Sequence, residues 1–455
     1  MGFGRLKDAI KGQVFEDEET RDQLASDFGR LVRRRPSAVV VPAVVDDVER
    51  TLKTANQEGF SVVARGGGHS QGGQSLIESG ALLDISGLNR IGQLEGESIW
   101  VEAGVLWRDL VREILPAGYL PKVLTDDMDS TIGGTLSTGG LGAASHLFGT
   151  QADNVDALEV VTGEGHRVIC SSRENRDLFD AVRCGLGQFG VIVRAKMRLR
   201  RCAAQVRTFF LLYDDLRILL QDQEKLLTER NVDYMESGCA PCSQGFRRLG
   251  EARVPFVEWF YPMHLSLEFE SDPPAEDSVL EGLHHYRKPH VEDSPIEDYC
   301  FRMEALFDHW KESGAWRMAH PWTDALLPWE CSVAFIEGVL KGLPPNLLVG
   351  GRVLLRPLRS EACRSPMFQR PGGKLLMGFG IHPSLPKQLV SKVLPILSKA
   401  GDLSVQVGGK RRVSGWIEFD EVQWKDHFGA MWPKAVQWKR FYDPNEILNP
   451  GFIPF

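Results

Sequence analysis

Three glycine-rich segments between residues 65 and 193 constrain the fold of this 455-residue chain more than any other feature. Half of the residues in 65–74 are glycine, a second cluster covers 131–142, and a third, 185–190, leads into the β-branched run 191–193. Glycine adopts positive φ at no cost and has no Cβ, so closely spaced glycines let backbone N–H groups approach a phosphate. One such segment alone is equally well a tight surface turn. Three of them, each beside an apolar strand, predict a nucleotide-type ligand.

The glycine patterns exclude two common nucleotide sites. No Gly-Lys-Ser/Thr ends any of them, so none is a Walker loop. Gly185, Gly187 and Gly190 have the GxGxxG spacing, but they run into a strand instead of opening a helix, which argues against a Rossmann fingerprint. Short Val/Ile-rich runs alternate with helical patterns at 46–58 and 107–115. The pattern favours an α+β fold.

The change in residue composition along the chain predicts two lobes and a C-terminal segment that packs back on the first lobe. After residue 202 glycine density drops, while tryptophans, histidines and long helical patterns such as 213–229 become more frequent. Turn and cap signals return in the last 30 or so residues. The expected organisation is a ligand-binding domain at 1–200, a substrate-binding or cap domain at 201–415 and a C-terminal segment at 416–455 that returns to the first domain.

Composition excludes several classes of protein. The chain has 53 Lys+Arg against 61 Asp+Glu, a net charge of −8, and no long basic run, so a nucleic-acid partner is disfavoured. With 23 Phe and 11 Trp it is not a disordered chain. No window of about 18 apolar residues and no secretory pattern near the start is present, so we expect a soluble, cytoplasmic protein with no membrane partner. The eight cysteines are too irregularly spaced for a disulfide framework.

For some side chains the sequence allows either a structural or a functional role. His69 lies inside the first glycine segment, where an imidazole is either a structural group or a nucleophile for a covalent tether to a cofactor. Cys239 and Cys242 have the CxxC spacing, but no second CxxC exists, and a structural role is favoured. A structural or solvated role is likewise favoured over metal binding for three neighbouring histidines, His284, His285 and His290.

Several runs together resemble the cytokinin dehydrogenases, which belong to the vanillyl-alcohol-oxidase superfamily with a PCMH-type FAD domain. The runs that carry the resemblance are Arg65-Gly-Gly-Gly-His69-Ser70 with Gln74, Thr125-Asp126 followed by Ile132-Gly133-Gly134-Thr135-Leu136-Ser137, Gly185-Leu-Gly-Gln-Phe-Gly-Val-Ile192 and Tyr442-Asp443-Pro444 through Pro450-Gly451. Asp27-Phe28-Gly29 and His427-Phe428-Gly429 are also similar. The resemblance covers roughly residues 27–200 and 420–455, in order.

The resemblance implies FAD as cofactor, bound covalently through His69 to the 8α-methyl group of the isoalloxazine ring. Berberine-bridge-type relatives have a second tether, a cysteine shortly before the second glycine segment. Residues 122–131 contain no cysteine here, so a single link is expected. The residues that the resemblance places around FAD are Gly66, Gly67, Gly68, His69, Ser70, Gln74, Asp126, Thr131, Ser137, Leu141 and Ile192.

The resemblance also implies the catalytic groups. Asp126 matches the family's catalytic aspartate, and Glu236 is similar to a family glutamate near the substrate entrance. A carboxylate in a partly dehydrated pocket has its pKa raised toward neutrality. We therefore expect Asp126 to accept the N–H hydrogen bond of a secondary amine while hydride leaves the adjacent carbon. For Asp126 a turn cluster with Asp127 and Asp129 is the alternative from the residues alone.

The expected enzyme is an FAD-dependent oxidase or dehydrogenase that acts on the C–N bond of a small molecule, an N6-substituted adenine, and passes its electrons to O2 or a quinone. Departures keep alternatives open: Phe452 follows Pro450-Gly451 where plant members have Gln, and the family's Tyr-Leu-Pro segment is not evident around 415–420. The first alternative is an FAD-linked oxidase of an alcohol, sugar or secondary-metabolite intermediate. The second is a non-catalytic nucleotide- or flavin-binding protein.

Overall fold

The computed structural model describes residues 3–229, 232–344, 348 and 351–455. Residues up to 201 build two sheets with helices against them. The strands are β1 (Gln13–Phe15), β2 (Ala38–Val41), β3 (Val62–Arg65), β4 (Ala81–Asp84), β5 (Ile91–Glu95), β6 (Ser98–Glu102), β7 (Tyr119–Pro121), β8 (Val155–Val161), β9 (Arg167–Ser171) and β10 (Val191–Arg201). The helices are α1 (Gly4–Ala9), α2 (Glu18–Gln23), α3 (Val45–Glu58), α4 (Trp107–Ile114), α5 (Ile132–Thr138), α6 (Ser145–Phe148) and α7 (Arg176–Val182).

The first sheet places the first glycine segment. Within the described residues its strand order is β1-β2-β4-β3, with β2, β4 and β3 parallel. The helix α3 connects β2 to β3, as predicted: it buries Val48, Leu52 and Ala55 and ends at Gly59, whose φ of 70° terminates it. The glycine segment begins directly after β3, at the carboxyl end of a parallel strand, where ligands bind in open sheets.

The second sheet is arranged around the long strand β10, which the third glycine segment enters. β10 pairs antiparallel with β6, β7 and β8, and β8 forms a hairpin with β9. The second glycine segment forms the short helix α5, which begins after the N-cap Thr131 and ends at Gly139 with φ 74°. All three segments therefore meet between the two sheets and the second half of the chain.

The second lobe contains more strand than its sequence suggested. Its strands are β11 (Gln205–Tyr213), β12 (Tyr234–Leu249), β13 (Ala252–Phe269), β14 (Arg287–Pro295), β15 (Thr323–Pro328), β16 (Arg352–Arg359), β17 (Leu375–His382) and β18 (Lys410–Arg411). Its helices are α8 (Leu216–Glu229), α9 (Glu276–Leu280), α10 (Ile296–Cys300), α11 (Glu304–Glu312), α12 (Ser332–Gly342) and α13 (Lys387–Gln406). In the described residues the strands form one antiparallel sheet with the order β14-β11-β13-β12-β16-β17-β15-β18. The helix expected from 213 begins at Leu216, because Tyr213 still belongs to β11.

The C-terminal segment packs on the first lobe through α14 (Glu421–Phe428) and α15 (Trp432–Tyr442). The buried carboxylate of Asp443 accepts hydrogen bonds from Lys439 Nζ at 2.7 Å and from the backbone N–H of Leu448 at 2.9 Å. Asn449 Nδ2 donates to the carbonyl groups of Gln74 and Leu186, at 3.0 and 2.8 Å. The segment thus ties the first glycine segment to the third. Among the described residues no helix is long and apolar enough to cross a membrane.

Candidate active site

A cavity of ≈ 290 Å³ lies where the glycine segments face the sheet of the second lobe. Its wall includes glycines from all three segments, and every residue that the family resemblance placed around FAD lines it. The backbone N–H groups of residues 67–70 donate to no protein acceptor in the described part of the chain. Unpaired N–H groups on a glycine backbone are the donors that a diphosphate requires. The wall therefore fits a dinucleotide cofactor.

Most polar side chains of this wall are already bonded to protein. Gln74 Nε2 donates to the carbonyl groups of Val413 and Gly415, and Ser70 Oγ donates to Asp27 at 3.1 Å. Ser137 Oγ donates to the carbonyl of Gly133, while Thr131 Oγ1 accepts from the N–H of Gly134. These side chains fix the loops, which leaves the backbone to contact a ligand, as the glycine pattern predicted.

The imidazole of His69 is held on two sides. Its Nδ1 lies 2.7 Å from the carboxylate of Asp127. Phe28 stacks against the ring at 5.6 Å between centroids, and the Trp316 ring meets it edge-on at 6.0 Å. Burial alone would raise the pKa of Asp127, but the hydrogen bond and charge of His69, the N–H of Asp129 and the charge of Lys311 together outweigh burial and lower this pKa. An ionised carboxylate that bonds one ring nitrogen orients the imidazole and increases the basicity of the other nitrogen.

Asp126 is the carboxylate of the cavity wall, and its environment differs from the expected one. Arg352 donates to its Oδ2 at 2.6 Å, and Arg356 donates to Oδ1 and Oδ2 at 2.8 and 2.9 Å. Burial would raise the pKa of Asp126, but Arg356, Arg352 and Arg302 together hold it far below its ordinary value. The prediction of a pKa near neutrality is therefore wrong, because the sequence did not reveal that the arginines of a distant strand converge on this carboxylate.

Glu236 takes a different place from the expected one. It lies in β12 and accepts two hydrogen bonds from Arg302, at 3.1 and 2.6 Å. Neither Glu236 nor Arg302 lines the cavity in the described part of the structure. Glu236 is thus an outer member of the charged cluster around Asp126.

Sequence reasoning missed the residues that the second lobe contributes. On β16, Leu354 lies two positions after Arg352 and two before Arg356. Side chains two positions apart in a strand point to the same face, and all three line the cavity. The alternation in Arg352-Val-Leu-Leu-Arg356 is a weak signal that only a strand assignment makes visible. Two tryptophans of the second lobe, Trp316 and Trp322, also line the cavity, whereas Trp310 is buried beside them.

The other motifs do not form sites. Cys239 is buried and Cys242 exposed, at positions of β12 that point to opposite faces, and both thiols are free. His284 bonds to Asp222 at 3.2 Å. No group of three potential metal ligands occurs among the described residues. Phe452 packs against Trp424 at 5.6 Å and does not line the cavity.

Comparisons with known proteins match this geometry. Residues 36–171 match a family model described as an FAD binding domain, and 415–455 match one described as cytokinin dehydrogenase 1, FAD and cytokinin binding. An uncharacterized oxidoreductase of the fasciation locus of Rhodococcoides fascians is 32% identical over 97% of this chain and 99% of its own length. Cytokinin dehydrogenase 6 of Oryza sativa is 30% identical over 97% and 91%.

The chain belongs to the cytokinin dehydrogenase family of FAD-dependent oxidoreductases. The fold agrees: 6-hydroxy-D-nicotine oxidase of Arthrobacter nicotinovorans superposes with a TM-score of 0.73, covers 96% of both chains and is 20% identical. The predicted family, the α+β two-lobed fold and FAD as cofactor are thereby confirmed.

Proposed function

We propose that this cytokinin dehydrogenase family member oxidises the C–N bond of an N6-substituted adenine, and that FAD is bound covalently through His69. The observation that carries the proposal is the Asp126 carboxylate in the cavity wall. Among the described residues its Oδ1 accepts a hydrogen bond from Arg356 only, so one acceptor position is free for a substrate N–H. Relatives named cytokinin dehydrogenase support the choice of substrate.

FAD, when bound, accepts the hydride that leaves the carbon beside the amine. Asp126 orients that carbon by bonding the amine N–H, and Trp316 and Trp322 offer flat apolar surface for a planar ring. Because its pKa is held low, Asp126 would hold the N–H by a hydrogen bond, and water would take up the proton as the imine is hydrolysed. Water then hydrolyses the imine to adenine and an aldehyde, and the two electrons pass to O2 or a quinone.

The proposal of a tether rests on the exposure of His69 to the cavity and on its contacts. Asp127 and Phe28 fix the ring beside the segment whose N–H groups are free. The attachment replaces one imidazole N–H bond and one methyl C–H bond of the flavin by an N–C bond. The two electrons and two protons released reduce O2 to hydrogen peroxide.

A second candidate is favoured by the two arginines. Guanidinium N–H groups in a cavity wall bind oxygen acceptors well, and Arg352 and Arg356 both line this one. Oxidation of a hydroxyl group of an alcohol, sugar or secondary-metabolite intermediate would use the same Asp126 acceptor for the O–H.

Turnover of a substrate panel separates the candidates. We expect isopentenyladenine to give adenine and the corresponding aldehyde in equal amounts, with O2 or a quinone as acceptor. Adenine alone and the saturated N6-alkyl analogue serve as matched controls. Turnover of alcohols or sugars without any turnover of N6-substituted adenines would replace the first candidate by the second. Absence of turnover and of flavin reduction with every compound would favour a non-catalytic binding protein.

A further inference from the structure

The charged groups around Asp126 form a cluster with an excess of positive charge. Its members are the guanidinium groups of Arg302, Arg352 and Arg356 and the carboxylates of Asp126 and Glu236. Their side chains are between 10% and 28% exposed. Three cations against two anions leave one positive charge that no protein group in the cluster balances.

Neighbouring groups do not remove this excess. Asp324 lies 2.9 Å from His382 and near both Arg412 and Arg356. The charge of Arg412, which is not a member of the cluster, balances that of Asp324. Asp127 belongs to a separate group, with His69 at 2.7 Å and Lys311 nearby. Arg65, on the same cavity wall, is balanced by Asp27. The surroundings of Asp126 therefore remain cationic toward a ligand that enters the cavity.

We propose that the cavity selects its substrate by charge: it accepts amines that are neutral near pH 7, such as N-alkyl arylamines, and rejects alkylammonium ions. The inference rests on the proposed amine oxidation and narrows its substrate class. An isolated carboxylate would attract an ammonium group. A carboxylate paired with two arginines offers a hydrogen-bond acceptor without that attraction, so Asp126 binds a neutral N–H while Arg302, Arg352 and Arg356 repel a cation.

The expected size of the effect follows from Coulomb's law. One unbalanced charge about 6 Å from a bound cation, at the effective dielectric constant of partly buried sites, changes binding by about 10–100-fold. The selectivity comes from repulsion of the rejected cation, and this repulsion requires no direct contact with it. Exocyclic amines of purines are neutral, so the filter and the proposed substrate agree.

Two compounds of similar shape test the filter. N-prenylaniline is neutral at pH 7, whereas N-prenylcyclohexylamine is an ammonium ion. We expect kcat/KM of the holoenzyme for the aniline to exceed that for the cyclohexylamine, mainly through KM. The cyclohexylamine should gain about tenfold per pH unit as it deprotonates, while the aniline stays constant.

Variants separate the filter from intrinsic reactivity. Removing a positive charge with Arg352→Gln should reduce the ratio of the two kcat/KM values about 10-fold or more, and Arg352→Lys should preserve the ratio. Removing a negative charge with Glu236→Gln should change the ratio in the opposite direction, and this variant leaves the cavity wall intact. Arg359→Gln is the matched control, since Arg359 ends the same strand but bonds the carbonyl of Leu227 outside the cavity.

Two outcomes would overturn the inference, and they differ. A ratio that is unchanged in both Arg352→Gln and Glu236→Gln, while isopentenyladenine is still oxidised, overturns the charge filter alone. Failure of every amine, isopentenyladenine included, to reduce the flavin of the wild-type protein overturns the proposed function and the filter together.

Discussion

At the scale of single residues, the proposed chemistry depends on Asp126, whose protonation state the neighbouring arginines set. Its pKa lies below the ordinary value of about 4. A group with a lowered pKa stays ionised, and its contribution is lost only as pH falls through that pKa. The wild-type kcat for a neutral substrate should therefore show no acid limb from Asp126 above about pH 4.

The arginines give the first prediction. In Arg356→Met the pKa of Asp126 should rise, because burial persists while the cation that lowers this pKa most is gone. The kcat should then fall on the acid side at a higher pH than in the wild type, since a protonated carboxyl group no longer accepts the substrate N–H. Arg359→Met, on the same strand, should retain the wild-type profile. Identical profiles for Arg356→Met and the wild type would contradict the role given to the arginine.

A second prediction concerns the carboxylate itself. Asp126→Asn keeps the shape of the side chain but removes the charge, so kcat should fall by about two to four orders of magnitude while flavin content is retained. Two partly buried guanidinium groups also lose their counter-ion, and we expect a loss of about 1–3 kcal/mol in the free energy of unfolding. Steady-state kinetics and chemical denaturation measure the two effects. Near-normal turnover would remove Asp126 from the mechanism.

The third prediction concerns the tether. Acid-precipitated wild-type protein should stay yellow, and His69→Ala should release all flavin into the supernatant. Asp127→Asn should reduce the fraction of flavin that is covalently attached, because the imidazole loses the carboxylate that orients it. Asp129→Asn is the control, since Asp129 pairs with Arg108 instead. Flavin that is fully releasable from the wild type would exclude the covalent link.

At the scale of elements, the C-terminal segment holds the glycine segments in place. Asn449 has a φ of 45° and makes two buried hydrogen bonds to different segments. Asn449→Ala should lower the free energy of unfolding by about 2–4 kcal/mol through two lost hydrogen bonds and left-handed strain. Asn449→Gly removes the same two hydrogen bonds, but glycine adopts a positive φ without strain. Its loss in the free energy of unfolding should therefore be smaller than that of Asn449→Ala. Equal losses, measured by denaturant unfolding, would mean that the strain contributes nothing.

Some secondary-structure elements could be predicted from the sequence, and others could not. Helix α3, the hairpin of β8 and β9 and the cavity-lining glycines were predictable because their signals are local: periodicity, a terminating glycine and turn residues. The eight-stranded sheet was not, because long strands such as β12 contain runs of consecutive exposed residues and lack clear alternation. The arginine pair on β16 lies more than 220 residues from Asp126 along the chain, and only the sheet brings them together.

At the scale of the whole molecule, buried histidines couple stability to pH. Burial lowers the pKa of His146 to about 4 and that of His427 to about 3. Both are neutral in the folded state but protonated in the unfolded chain below about pH 6.5, so stability falls as pH decreases from there toward the folded values. Each contributes up to about 1.4 kcal/mol per pH unit. Unfolding at pH 7 and pH 5 should show a smaller difference in His146→Gln than in the wild type, and an equal difference would exclude His146.

The central claim is that a flavin held in the first lobe removes hydride from an N6-substituted adenine held against the second. Anaerobic addition of isopentenyladenine to the purified holoprotein tests it most directly. We predict that the visible absorbance of the flavin bleaches with one equivalent of substrate and returns when O2 or a quinone is admitted. A flavin that stays oxidised with excess isopentenyladenine, yet bleaches with an alcohol or sugar, would contradict the claim.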